Sequence, residues 1–136
     1  MRILALDHGT VRIGVALSDE LKMFATPLEF IPAERFDGVL GRLREILAEK
    51  QVELVLVGMP RNMNGSYGPA AEKVREFVAA LRAAITVPLQ LVDERLSSVH
   101  AQKLLSQSGK SSKQQRGKVD QTAAAILLQS YLDNQP

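Results

Sequence analysis

Hydrophobic and polar positions alternate along the chain in two rhythms, one of short apolar runs and one of helical repeats. Residues 2–7 (RILALD) and 11–18 (VRIGVALS) are apolar runs separated by His8-Gly9-Thr10, so they predict a hairpin closed by a tight Gly-containing turn. A third short strand is expected over residues 28–31, bounded by Pro27 and Pro32. Phe36, Val39, Leu40, Leu43, Ile46 and Leu47 then recur at the i, i+3, i+4, i+7 spacing of one helical face. Residues 52–57 (VELVLV) form a dense β-branched run, the pattern of a strand covered on both sides. The following GMPRNMNGS reads as a loop from its Gly, Pro and Asn content. Pro69 suits the first turn of a second helix, whose buried stripe is Val74, Phe77, Val78 and Leu81.

Residues 88–92 predict another strand, leading into Asp93-Glu94-Arg95. Ser97 or Ser98 can cap a further helix carrying Val99 and Leu104 or Leu105. Residues 106–117 (SQSGKSSKQQRG) have the polar, basic, Gly/Ser-rich composition of a flexible loop. A last helix is expected from near Lys118, packing through Val119, Ala123, Ile126, Leu127 and Ser130. Hairpin strands first and alternating helices and strands afterwards imply an α/β fold, a mixed sheet with helices on its faces. No repeat or linker interrupts the pattern, so residues 1–136 are read as a single domain.

With 136 residues and 46% hydrophobic content, the chain can build a real core resting on Leu, Val, Ile and Ala, because Trp is absent. The absence of Cys excludes disulfides, thiol catalysis and thiolate metal sites. No run approaches the roughly 18 apolar residues of a membrane span, and MRILALDHG lacks the pattern of a signal peptide. No membrane role is expected, and the expected location is cytoplasmic. Net charge is only +2, yet from Arg95 to Val119 there are six Lys/Arg residues and no acid. Such a one-signed segment is either a solvated loop or an edge facing an anion, with nucleic acid the leading partner.

Three acids stand at the ends of elements. Asp7 ends the first strand, Glu94 follows the fifth, and Asp120 lies in the first turn of the last helix. In α/β sheets ligands gather outside strand ends. Three carboxylates delivered to one edge would repel each other unless a cation sat among them, and hard oxygen donors favour Mg²⁺ or Mn²⁺. Two such ions about 3.5–4 Å apart would activate a water and stabilise the leaving oxygen of a phosphodiester. Each acid also has a structural reading. Asp7 could open a turn with Gly9, Asp120 could complement a helix dipole, and Glu94 could pair with Arg95 or a nearby Lys.

Residues 4–19 (LALDHGTVRIGVALSD), 57–66 (VGMPRNMNGS), 92–98 (VDERLSS) and 118–132 (KVDQTAAAILLQSYL) resemble, in order and spacing, the four signature segments of the YqgF/RuvX family. The resemblance implies a ribonuclease H-like fold related to the Holliday-junction resolvase RuvC. It further implies a nuclease maturing the 5′ end of pre-16S ribosomal RNA, with Asp7, Glu94 and Asp120 as metal-holding catalytic acids. Ribonuclease H-like enzymes often carry a fourth acid or a His one turn past the last acid, but here Ala123 and Ala124 stand three and four residues beyond Asp120. The DER segment ends in Ser98 where Thr is common, which keeps the hydroxyl.

Around these acids, Gly9 and Thr10 form a turn that lets a phosphate or metal approach the backbone. Arg12 either reaches the site or points into solvent. His8 neighbours Asp7 on a strand and therefore faces the other way. Asn62, Asn64 and Ser66 lie in the loop after the fourth strand, to bind sugar or phosphate or to shape turns. Arg95, Lys110, Lys113, Arg116 and Lys118 would lead a nucleic-acid backbone towards Asp120, positioning it without reading its sequence. RNA is the favoured substrate and DNA the alternative, as in a Holliday-junction-type endonuclease. A non-catalytic nucleic-acid-binding factor on the same fold is a further alternative. A sugar kinase or actin-type ATPase, suggested by DHGT with Arg12 and Gly14, would need two such domains around a cleft.

Overall fold

The computed structural model describes residues 1–60, 67–93 and 123–135. Strands β1 (Arg2–His8), β2 (Arg12–Ser18) and β3 (Ala25–Pro32) are followed by α1 (Phe36–Glu49), β4 (Val52–Met59), α2 (Pro69–Ala84) and β5 (Leu89–Asp93). The third described helix, α3, spans Ala123–Asp133. The five strands form one sheet in the order β3-β2-β1-β4-β5. β1 pairs antiparallel with β2, and β2 with β3, whereas β1–β4 and β4–β5 are parallel. The mixed sheet expected from hairpin strands followed by α/β units is therefore the one observed.

Strand alternation divides the core in two. Leu4, Leu6, Val55 and Val57 face the side covered by α1 and α2, where Val39, Leu43, Ile46, Val74, Phe77 and Leu81 pack against them. Ile3, Ala5, Ala16 and Leu56 face the other side, against Ala124, Ala125, Leu127 and Leu128 of α3. Burial on both faces explains why residues 54–57 are apolar without a break, whereas Glu53 near the start of the strand pairs with Lys22. The predicted stripes of α1 and α2 are the observed ones, and Pro69 is the first residue of α2.

Three expectations are corrected. The third strand runs from Ala25 rather than from residue 28, so Pro27 lies inside it. This is tolerated because β3 is an edge strand, and Pro27 pairs with Ala16 where the register shifts between Val15 and Ala16. In α3 the buried face is Ala124, Ala125, Leu127, Leu128 and Ser130, while Ala123 and Ile126 are only half-buried. The segment is apolar on nearly every side, so only the sheet beneath it selects the face. The expected β5 also shifts by one residue, beginning at Leu89 and ending at Asp93. The expected start of the last helix near Lys118 and its packing residue Val119 lie outside the described residues. So do the helix after Ser98, the loop over 106–117 and the asparagines after Pro60.

Side chains also tie α3 to the sheet. The Gln129 carboxamide accepts from the Ala25 N–H (2.9 Å) and donates to the Met23 carbonyl (3.0 Å). On the opposite face, the Arg42 guanidinium of α1 forks onto Glu29 of β3 at 2.9 and 2.6 Å.

Candidate active site

Asp7 is the last odd-numbered residue of β1 and continues the Ile3–Ala5 set towards α3. Its cross-strand partner is Gly14, and a Cβ built there would lie 3.6 Å from the Asp7 Cβ and 3.7 Å from the Ala124 Cβ. The carboxylate thus stands half-buried where the N-terminal end of α3 passes over the strand ends. Among the described residues no hydrogen bond or ion pair engages it. A cavity of about 420 Å³ opens here, lined by Asp7, Gly9, Thr10, Arg12, Gly14 and Phe30, with Val11 and Ala123 at its margin.

The turn from β1 to β2 builds one wall. The Gly9 N–H donates to the Arg12 carbonyl at 3.1 Å, and a Cβ on Gly9 would stand 2.5 Å from that same oxygen. Glycine is therefore required by the turn itself. Arg12, exposed at the start of β2, lays its guanidinium 4.2 Å from the centroid of the Phe30 ring, and both line the cavity beside Asp7. Arg12 therefore borders the same cavity as Asp7 while its side chain also stays exposed to solvent.

His8 points the other way, as alternation requires. Its ring lies 4.7 Å from that of Phe77 on the α1/α2 side. Burial lowers its pKa and Lys73 lowers it further, while the Asp7 charge partly opposes them. Its ring stands against Phe77 on the face opposite Asp7, so it is not placed to act as a base on the Asp7 side.

β5 ends at the same sheet edge. Asp93 is level with Met59 of β4, two strands from β1, or roughly 10 Å across the sheet. Val92 packs on the α3 side and Leu89 and Leu91 on the other, so Asp93 has the parity of the face opposite Asp7. Asp7, Gly9, Thr10 and Arg12 are brought together. Glu94, Asp120, Asn62, Arg95, Lys110, Lys113, Arg116 and Lys118 lie outside the described residues. Phe30 was not singled out from the sequence, because only its pairing with Gly14 reveals that an aromatic ring borders Asp7. A larger hollow of about 590 Å³ lies at the opposite end of the sheet beside Ile3 and Leu54. Its charged residues, Lys22 and Glu53, pair with each other.

The comparisons with known proteins fit this geometry. The family model described as "RuvX: Holliday junction resolvase" matches residues 1–134. The chain belongs to the RuvX family. A relative from Geobacillus kaustophilus is 48% identical over 136 residues, covering 98% of this chain and 99% of that one. One from Halothermothrix orenii is 43% identical, covering 99% of this chain and 96% of its own. Both carry the name "Putative pre-16S rRNA nuclease". Among solved structures, Thermus thermophilus RuvC in complex with a Holliday junction substrate aligns at a TM-score of 0.60 and 18% identity. That alignment covers 98% of this chain and 95% of RuvC. The fowlpox virus Holliday junction resolvase aligns at 0.52 and 14% identity, covering 99% of this chain and 100% of its own. At such identities the likeness carries the fold alone, and that fold is the ribonuclease H-like α/β fold expected from the sequence.

Proposed function

We propose that this chain is one metal-dependent nuclease domain that hydrolyses phosphodiester bonds, acting in the cytoplasm on the 5′ end of pre-16S ribosomal RNA. The observation that carries the reading is the Asp7 carboxylate, half-buried at the strand ends beside a cavity that Arg12 also lines. The shared name of the full-length relatives supports RNA as the substrate.

The donor chemistry suits a hard divalent cation. Asp7 offers carboxylate oxygens, and no cation of the described residues pairs with them. The described residues alone contain no cluster of three metal-binding side chains, so Asp7 needs partners. Glu94 directly follows Asp93 at the end of β5, and Asp93 has the parity that points away from Asp7. Asp120 is three residues before Ala123, which borders the Asp7 cavity, and three residues reach at most ~11 Å. Asp7, Glu94 and Asp120 would together hold Mg²⁺ or Mn²⁺, as two ions. When bound, the metal supplies an activated water and neutralises charge on the phosphate.

The chain's own residues do the positioning. Arg12 brings a positive charge to the edge of the cavity that a phosphate would enter, and Gly9 and Thr10 keep the turn low enough for a backbone to pass. Asn62, Arg95, Lys110, Lys113, Arg116 and Lys118 extend the contact along the strand. The description of the family model favours a second reading, cleavage of four-way DNA junctions. Cleavage of matched RNA, single-stranded DNA and four-way-junction substrates in Mg²⁺ and Mn²⁺ decides between them. The proposal expects RNA to be cut fastest and EDTA to stop the reaction. Preferential junction cleavage would favour the second reading, and no metal-dependent cleavage of any substrate would refute both.

A further inference from the structure

The wall facing Asp7 across the cavity is more apolar than a phosphate requires. Phe30 is 39% exposed although it is a large aromatic on a strand, and Val11, which lines the same cavity, is 75% exposed. Phe30 stands opposite Gly14 across the β2–β3 pair, and its ring edge would lie 3.5 Å from a Cβ there. The glycine thus leaves open the space between ring and carboxylate. Arg12, diagonal to Phe30 on the same face, has its guanidinium carbon over the ring, 4.2 Å from the centroid. A guanidinium thus sits over an aromatic ring, and both residues line the cavity of Asp7.

Resting on the nuclease reading above, we infer that the Arg12–Phe30 pair is a stacking subsite for the base of an unpaired nucleotide whose phosphate lies towards Asp7. Single-stranded nucleic acid is bound by stacking its bases on aromatic rings and Arg guanidinium planes. A base inside a duplex already has both faces stacked, so the subsite selects unpaired substrate. It discriminates little between bases, because each presents a π-face. Phe30 acts here as a positioning residue: it offers ring surface and holds the Arg12 plane, without touching the reacting phosphate.

The test is equilibrium binding in EDTA, which separates it from cleavage. Wild type, Phe30→Leu and Phe30→Tyr are titrated with a fluorescent single-stranded oligonucleotide, as RNA and as DNA, and with an abasic oligonucleotide of equal length and phosphate count. Phe30→Leu should weaken binding of the base-bearing oligonucleotide roughly 5- to 100-fold. It should leave abasic binding and duplex binding at wild-type strength, and Phe30→Tyr should restore affinity. Loss in either the RNA or the DNA arm supports the subsite. Equal losses on base-bearing and abasic strands would overturn it, since the residue would then act through fold or charge. Unchanged binding by Phe30→Leu would also overturn it, while the nuclease reading would still stand or fall on cleavage by Asp7→Asn.

Discussion

Replacing Gly9 with Ala inserts a methyl group into the turn that joins Asp7 to Arg12. The new Cβ would stand 2.5 Å from the Arg12 carbonyl oxygen, whereas even close carbon–oxygen contacts lie at about 3.3 Å. The deficit of roughly 0.8 Å is between backbone atoms, so no rotamer change relieves it. The turn must open, straining or breaking the Gly9 N–H bond to that oxygen, now 3.1 Å. A lost hydrogen bond contributes about 0.5–1.5 kcal/mol, and overpacking costs about 1–3 kcal/mol. Gly9→Ala should therefore destabilise by about 1–3 kcal/mol, lowering Tm by about 3–12 °C for a chain of this size. Gly14→Ala is the matched control. Its Cβ meets Phe30, Asp7 and Ala124 at 3.5–3.7 Å, which is ordinary contact. Removing a glycine from a strand interior is worth about 0.5–1 kcal/mol, so Gly14→Ala should melt at or slightly above wild type. Thermal unfolding followed by circular dichroism reads both. Gly9→Ala melting within a degree of wild type, or Gly14→Ala falling further than Gly9→Ala, would refute the reasoning.

The pKa of His8 is held below its ordinary value, chiefly by burial. Its unfolded pKa of about 6.5 therefore exceeds its folded one, and the unfolded state binds the proton first as pH falls. The contribution is intact above about pH 6.5 and is lost as pH falls towards the folded pKa. Wild type should thus lose more stability than His8→Leu between about pH 7.5 and 5, and parallel curves would contradict this. Glu94→Gln should abolish cleavage with little change in Tm, whereas Asp93→Asn should lower Tm and keep measurable activity. The reverse pattern would reassign the ligand of that segment. Neutralising Lys110, Lys113 and Arg116 together should flatten the log–log salt dependence of nucleic-acid binding by up to roughly 2–3 units, and an unchanged slope would assign those charges to solvent.

The elements most legible in the sequence are those whose pattern admits one burial geometry. Residues 54–57 are apolar without alternation because helices cover both faces of β4, and the stripe of α2 from Val74 to Leu81 has one apolar side. α3 was harder, because Ala123–Leu128 is apolar all round and the pattern alone does not choose between Ala124 and Ile126. Pro27 reads as a strand boundary until the sheet order shows an edge, where its missing donor costs little. At the site, alternation alone separates His8 from Asp7. The side chosen by Arg12 and the presence of Phe30 depend on β2–β3 register, which includes a shift that no local pattern announces.

The central claim is that Asp7 is a metal-holding catalytic acid, and Asp7→Asn tests it most directly because Asn keeps the volume and hydrogen bonding but removes the charge. Cleavage of a pre-16S ribosomal RNA 5′ fragment is measured with Mg²⁺ and with Mn²⁺, alongside the Tm of the metal-free protein. The account predicts that cleavage collapses in both metals while Tm stays at or above that of wild type. Cleavage by Asp7→Asn at the wild-type rate in Mn²⁺ would contradict it.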